Sequence, residues 1–338
     1  MSATSPPATA RVRTDPPPEI HAELETMSAV HRYSNLAGVV LPMVGLVAAI
    51  VLLWGDWVDW SALIALAVMY ALTGFGVTLG FHRLLTHRSF QTHKSVEYLI
   101  AIFGSMSVQG PVMSWVADHR KHHAHTDQEG DPHSPHGHGS GVKGAIVGLW
   151  YAHMGWLFDR AGQAEHVRYA RDLHEDRGMR FIHRTFLVWV LVGLLLPGLI
   201  GFAIDGTWRG FLMGVLWGGA VRIFLLPHLT WSINSVCHFF GSRRFEIEDH
   251  STNVFWLAPF TFGEAWHHNH HAFPRSAMHG LKKWEVDPTA YVIRGMRRLK
   301  LAWNVVEISP ERQAQKLIGA EKPVRKRKEE EKVAEPVG

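Results

Sequence analysis

Residues 115–125 read WVADHRKHHAH. His119, His122 and His123 fall at i, i+3 and i+4, so a helix sets three imidazoles on one face. The same spacing returns at His267, His270 and His271 in EAWHHNHHAF, and a looser pair, His82 and His87, stands in FHRLLTH. One such box is within the reach of chance; three in one apolar chain read as a metal site. Neutral imidazole is a natural ligand for redox-active iron, and eight are enough to share between two ions. The boxes also constrain the fold: histidines that share metals must lie on one side of a membrane.

Working outward, the 338 residues are 47% hydrophobic, with 14 Trp and 24 His, and the apolar residues are gathered into long runs. Four runs, at about 37–54, 61–81, 185–204 and 209–226, come close to the roughly 20 residues that cross a bilayer as a helix. GDWVDW joins the first pair and DGTW the second. Arg11, Arg13 and Arg32 before the first pair, and Arg83, Arg88 and Lys94 after it, put both ends inside. The run 96–115 has the length to cross but carries Ser105, Ser107, Gln109, Gly110 and Pro111. A crossing there would separate the first two boxes, so it reads as an interfacial or re-entrant segment. Residues 145–158 read as a surface helix, 160–184 as charged and cytoplasmic, and 229–241 as an extension of the fourth span.

The ends are expected to be disordered: a Pro/Ser/Thr-rich cytoplasmic leader over 1–30 without a signal-peptide core, and a charged tail over 311–338. Between them, 31–310 form the membrane domain, with a surface helix expected after Pro274. The pI near 9.2 suits an anionic membrane surface rather than nucleic acid, because the basic residues gather beside apolar spans and in the tail. Cys237 is the only cysteine, which excludes an intrachain disulfide and a thiolate cluster.

No box places a carboxylate where a metal-binding partner would need it, so the implied site is all or nearly all nitrogen. His238, one turn beyond Asn234 on the fourth-span extension, is the candidate ninth histidine, and Asn234 is placed to hold a water on the second metal. Zinc fits such ligands but has no redox chemistry and needs only four. Asp118, Asp131 and Glu264 border the boxes and are candidates to orient ligand N–H groups. His125, His153, His268 and His279 are assigned to the surroundings or surface. His133, His136 and His138, in a Gly-rich loop, are expected in solvent.

HRLLTH, DHRKHH, NSVCH and GEAWHHNHHAFP, in that order and spacing, closely resemble the membrane fatty acid desaturases of the stearoyl-CoA (delta-9) type, over about residues 32–300. WHHNHHAFPRSAMHG and EGDPHSPH look more like the bacterial branch. The resemblance implies an all-α integral membrane protein of four transmembrane helices, with a cytosolic helical cap around a di-iron site. By the family pattern the ligands are His82, His87, His119, His122, His123, His238, His267, His270 and His271, with Asn234 through water. It further implies O2-dependent insertion of a cis double bond into the saturated acyl chain of an acyl-CoA or acyl-lipid. Tyr70, Gln109, Trp115, Thr230 and Trp231 match acyl-tunnel positions, Tyr70 near its closed end. Animal enzymes hold coenzyme A partly with an Arg-Asp pair before the second box, where this chain has Ala117-Asp118.

No flavin or nicotinamide fingerprint and no haem domain is fused, so electrons are expected from a separate ferredoxin or a cytochrome b5-type carrier with its reductase. The expected location is a bacterial inner membrane, with both termini and the active site cytoplasmic. Two other readings compete. An alkyl hydroxylase shares the metal chemistry but usually carries a Glu within the first box. A histidine-rich transporter should place ionisable ligands within its spans.

Overall fold

The computed structural model describes residues 29–53, 59–159 and 163–320. The leader to residue 28, residues 54–58 at the expected outer loop, residues 160–162 and the tail beyond 320 lie outside them. Helix α1 (Ala29–Leu53), which packs on the fourth span, precedes α2 (Trp60–Phe75), and α2 runs on as a π-helical stretch, Gly76–Thr86. Strand β1 (Gln91–Thr92) leads to α3 (Lys94–Ser105), α4 (Val112–His125) and α5 (Gly141–His153). The short α6 (His166–Tyr169), α7 (Arg171–Glu175) and α8 (Arg177–Arg184) follow. A hairpin pairs α9 (Phe186–Asp205) with α10 (Trp208–Gly214), which continues through a π-helical stretch into α11 (Arg222–Ser235) and a 3-10 turn ending at His238. Helix α12 (His267–Ala272), helix α13 (Pro288–Arg298), strand β2 (Ala302–Trp303, antiparallel to β1) and helix α14 (Pro310–Gln315) complete the chain.

Four helical stretches are long and apolar enough to cross a bilayer: Ala29–Leu52, Trp60–Thr86, Phe186–Asp205 and Trp208–His238. The second and fourth have 27 and 31 residues, about 40 and 46 Å at 1.5 Å per residue, against about 30 Å of hydrocarbon. They outlast the membrane, and their projecting ends carry His82 and His238. The tight turn between the last two holds Gly206 at φ +70 and caps α10 with the Thr207 hydroxyl, which accepts from Gly210 N at 3.0 Å.

The ambiguous run 96–115 holds no helix long and apolar enough to cross. Helix α3 has 12 residues, about 18 Å, and the chain then bends back at 106–111 before α4 begins. The first two boxes thus stay together. Helix α3 lies directly on the π-helical stretch, where a Cβ on Gly76 would fall 2.1 Å from Gly104 N, so the glycine permits the approach. Arg222, fully buried, ties three elements by donating to the carbonyls of Gly218, Met106 and Gly193 at 3.1, 2.8 and 2.9 Å.

Three expectations are corrected. The tail expected to be disordered from residue 311 is folded as far as residue 320: a helix spans Pro310–Gln315, Ile318 N donates to Arg244 O at 3.1 Å, and Glu246 N donates to Lys316 O at 2.8 Å. The surface helix after Pro274 starts only at Pro288, where Asp287 caps it by accepting from Ala290 N; residues 279–287 fold instead around the buried Glu285 and Asp287. The Gly/Pro/His loop is only partly open to solvent. His133 and Ser134 are buried, and His136 Nε2 donates to the His238 carbonyl at 2.8 Å. Asp127 explains the packing, since it accepts from Ser134 Oγ at 2.8 Å and from His238 Nδ1 at 3.0 Å.

Candidate metal centre

The first box has a wider spacing than the other two because its backbone is π-helical. His87 N donates to His82 O at 3.1 Å, an i to i+5 bond, and such a turn stacks residues five apart. The two rings meet at 4.8 Å. The second box lies on α4 and the third on α12, both with α-helical spacing.

Together the boxes make two clusters. His82, His87, His119, His123 and His270 form one; His122, His238, His267 and His271 form the other. Within each, one nitrogen per residue lies within 4.8 Å of all the others. Both helical boxes are split between them: His119 and His123 face the first and His122 the second, while His270 faces the first and His267 and His271 the second. All nine histidines of the sequence assignment are present, and among the described residues no tenth joins these two groups.

The donors fit metal ions. Nitrogens about 2.0–2.1 Å from one ion stand roughly 3–4 Å apart. Here His238 Nε2 and His267 Nε2 lie 2.9 Å apart, His82 Nε2 and His270 Nε2 3.2 Å, and His119 Nε2 and His123 Nε2 3.2 Å. The Nε2 atoms of His87, His122 and His271 are buried without a protein partner. Burial, then the neighbouring rings, push His87, His119, His123, His267, His270 and His271 well below the usual imidazole range, so their lone pairs are free. His122 differs: burial opposes its charge, but Asp131 raises its pKa.

Carboxylates hold the outer nitrogens. His82 Nδ1 donates to Glu264 at 2.5 Å, and Glu264 in turn accepts from the buried Arg83. Asp287 accepts from Arg83 through both oxygens at 3.0 Å. In the second cluster His122 donates to Asp131, His238 to Asp127 and His271 to Asp249, at 2.9, 3.0 and 3.1 Å. Each such bond fixes a tautomer that turns Nε2 inward. Burial would raise Asp127, but the His238 contact brings it down to about 2.

Of the carboxylates expected to orient ligands, Glu264 and Asp131 do contact a box histidine. Asp118 does not: it accepts from Ala164 N at 2.6 Å, and burial pushes it up to about 7. Asp127 and Asp249 escaped the sequence reading. Asp249 lies 22 positions from His271, so no local periodicity points to it. His279 is buried against Glu264 and the His82 ring, and His268 accepts from Phe245 N.

An apolar pocket opens beside the clusters between the second and fourth spans. Val77, Thr78, Leu226, Leu229, Ile233 and Phe262 line its sides, and His82, His119, His267 and Asn234 its polar end. Among the expected tunnel residues, Trp115 and Thr230 line it, and Trp115 stacks on His119 at 5.2 Å. Gln109 reaches it through a 3.1 Å bond from Nε2 to Thr230 Oγ1. Tyr70 sits behind the wall, with its ring 5.4 Å from Phe262 and its hydroxyl donating to Phe260 O at 2.5 Å. Trp231 packs against the rings of His153 and His228 and is not among the lining residues.

Comparison with known proteins gives the same family. A hex-5-enoyl-[acyl-carrier protein] acetylenase of Moorena producens is 43% identical over 268 residues, covering 79% of this chain and 83% of that protein. An sn-1 stearoyl-lipid 9-desaturase of Anabaena variabilis is 41% identical over 250 residues, 73% of this chain and 85% of the other. An acyl-CoA C20 delta5-desaturase of Anemone leveillei is 41% identical over 254 residues, 73% and 74%. The family model for fatty acid desaturases matches residues 58–291, so this four-span chain with its paired histidine clusters belongs to the fatty acid desaturase family.

Proposed function

We propose that the protein is an O2-dependent acyl desaturase that places a cis double bond, at delta-9, in a saturated chain carried by a lipid, coenzyme A or acyl-carrier protein. One observation carries the reading: five and four imidazoles converge in adjoining clusters at the polar end of an apolar pocket. The printed names of the relatives support it, and they also span three carriers. The acetylenase name extends it to a chain that already holds a double bond.

Iron is the metal that fits both the nitrogen donors and an oxidation by O2, and when bound it would supply the oxidant for an unactivated C–H bond. His82, His87, His119, His123 and His270 would hold one ion. His122, His238, His267 and His271 would hold the other, with Asn234 fixing a water. The protein's part is positioning. Apolar walls keep the methylenes dry, the Trp115 ring packs on His119, and Thr230 with Gln109 offers a polar notch where the chain bends. Glu264, Asp131, Asp127 and Asp249 keep the ring tautomers. Electrons would come from a ferredoxin or cytochrome b5-type carrier on the cytoplasmic side. Expression in a desaturase-deficient host, with the new double bond located in extracted lipids and iron counted per chain, tests the proposal. No new unsaturation, or zinc in place of two irons, would refute it.

A further inference from the structure

Residues 254–263, VFWLAPFTFG, have no ionisable side chain, although they connect parts of the polar cap. Phe255, Trp256 and Phe260 are 67, 56 and 59% exposed. Such a patch is unfavourable in water. Its position along the second span explains it. The Phe260 carbonyl accepts from the Tyr70 hydroxyl, and the Phe262 ring fills the notch left by Gly74, where a Cβ would come within 2.2 Å of it. Tyr70 lies ten residues beyond Trp60, roughly 15 Å along the helix and about halfway through the hydrocarbon. It is also seven residues beyond Leu63, hence on the same face, and Leu63 is exposed. This is the lipid-facing side.

Part of the loop's backbone is paired, which lowers the cost of immersion. Val254 N donates to Ala265 O, Leu257 N to Val254 O, Thr261 N to Leu257 O and Gly263 N to Ala258 O, at 2.8–3.2 Å. Pro259 has no N–H to satisfy. Lys282 over the exposed Trp284 ring forms the aromatic and basic fringe expected at an interface.

We propose that residues 254–263 form a hairpin dipped into the bilayer beside the second span, and that Phe260 is a side door through which the acyl chain of a membrane lipid enters the pocket. Phe260 is the one residue of the exposed trio that also lines the pocket. The door rests on the desaturase reading and names its substrate class: a chain attached to a bilayer lipid, reached sideways.

The test has two arms. Cys237 is the only cysteine and is buried, so Trp256→Cys and Phe255→Cys can be spin-labelled selectively in proteoliposomes. Both nitroxides should collide more with dissolved O2 than with a water-soluble nickel chelate. Values matching a label at the exposed Ser140 would overturn the hairpin. In the second arm Phe260→Trp is assayed with lipid-borne and soluble-carrier chains, alongside iron content. The lipid-borne kcat/KM should fall about tenfold, the scale of one ill-fitting apolar group, with iron unchanged. An unchanged lipid-borne rate would overturn the door. If no carrier yields unsaturated product even with the parent protein, the desaturase reading and the door both fail, while nitroxides reading apolar depth would keep the hairpin.

Discussion

Replacing Glu264 with Gln separates the two clusters. Glu264 is 5% exposed; one oxygen accepts from Arg83 at 2.9 and 3.1 Å, and the other from His82 Nδ1 at 2.5 Å. Breaking a buried charge pair outright costs about 3–5 kcal/mol. Here the loss should be smaller, about 1–2 kcal/mol, because Asp287 still meets both terminal nitrogens of Arg83 and the amide oxygen still accepts. The larger effect falls on the metal. An amide N–H facing His82 Nδ1 forces the proton onto Nε2, the atom that points into the five-histidine cluster. Loss of such a partner weakens metal binding by about 10–100-fold. Iron counted per chain after graded chelator exposure should fall from two toward one. Asp131→Asn should release the other ion, since it removes the carboxylate from His122. Full iron in Glu264→Gln at the parent's chelator resistance, or one identical ion lost from both variants, would refute the assignment of carboxylates to separate clusters.

Other expectations are briefer. Tyr70→Ala should shift product chains longer, with discrimination of about 10–200-fold per methylene; Tyr70→Phe, which removes only the bond to Phe260 O, should shift them less. Fatty acid profiling reads both, and the double-bond position should not move. His136→Ala should lower the thermal midpoint by an amount corresponding to about 1 kcal/mol, because its Nε2 holds the His238 carbonyl. Asp172 sits at about 2: burial opposes its charge, and hydrogen bonds from Arg120 and Arg88 outweigh burial. A depressed carboxylate contributes stability above its unfolded value near 3.8, which fades as pH falls toward 2. The stability gap between the parent and Asp172→Asn, about 1 kcal/mol after screening, should therefore be present at pH 6 and close by pH 2 in thermal unfolding. For topology, Ser140→Cys and Trp208→Cys should react with impermeant reagents from opposite sides of the membrane, Ser140 from the cytoplasm.

Most of the centre was legible because its signal is local. His119, His122 and His123 share a helix face by spacing alone, and a hydropathic run announces a span whatever it packs on. His82 and His87 were legible as a pair, but their five-residue offset had no explanation until the π turn supplied one. What escaped depends on chain folding back over long separations. Asp127 meets His238 across 111 positions and Asp249 meets His271 across 22, and neither pairing leaves a periodic trace. His133 and His136 were misread for a related reason. Gly and Pro around them signal irregular backbone, and irregular backbone is commonly exposed, yet here Asp127 and Asp131 fold the loop over the second cluster.

The carboxylates also make the two clusters unequal. Three of the four histidines in the second cluster lean on a carboxylate. Among the described residues only His82 does so in the first, and Arg83 balances that charge. A cation held by the four histidines would therefore sit among three anionic neighbours, and one held by the five would not. Fewer protein donors and more surrounding negative charge offset each other, so both sites can hold like-charged ions side by side. Swapping Arg83 for Leu would test that balance: Glu264 and Asp287 would lose their shared cation, and the first cluster should then tolerate a cation better while the fold itself weakens.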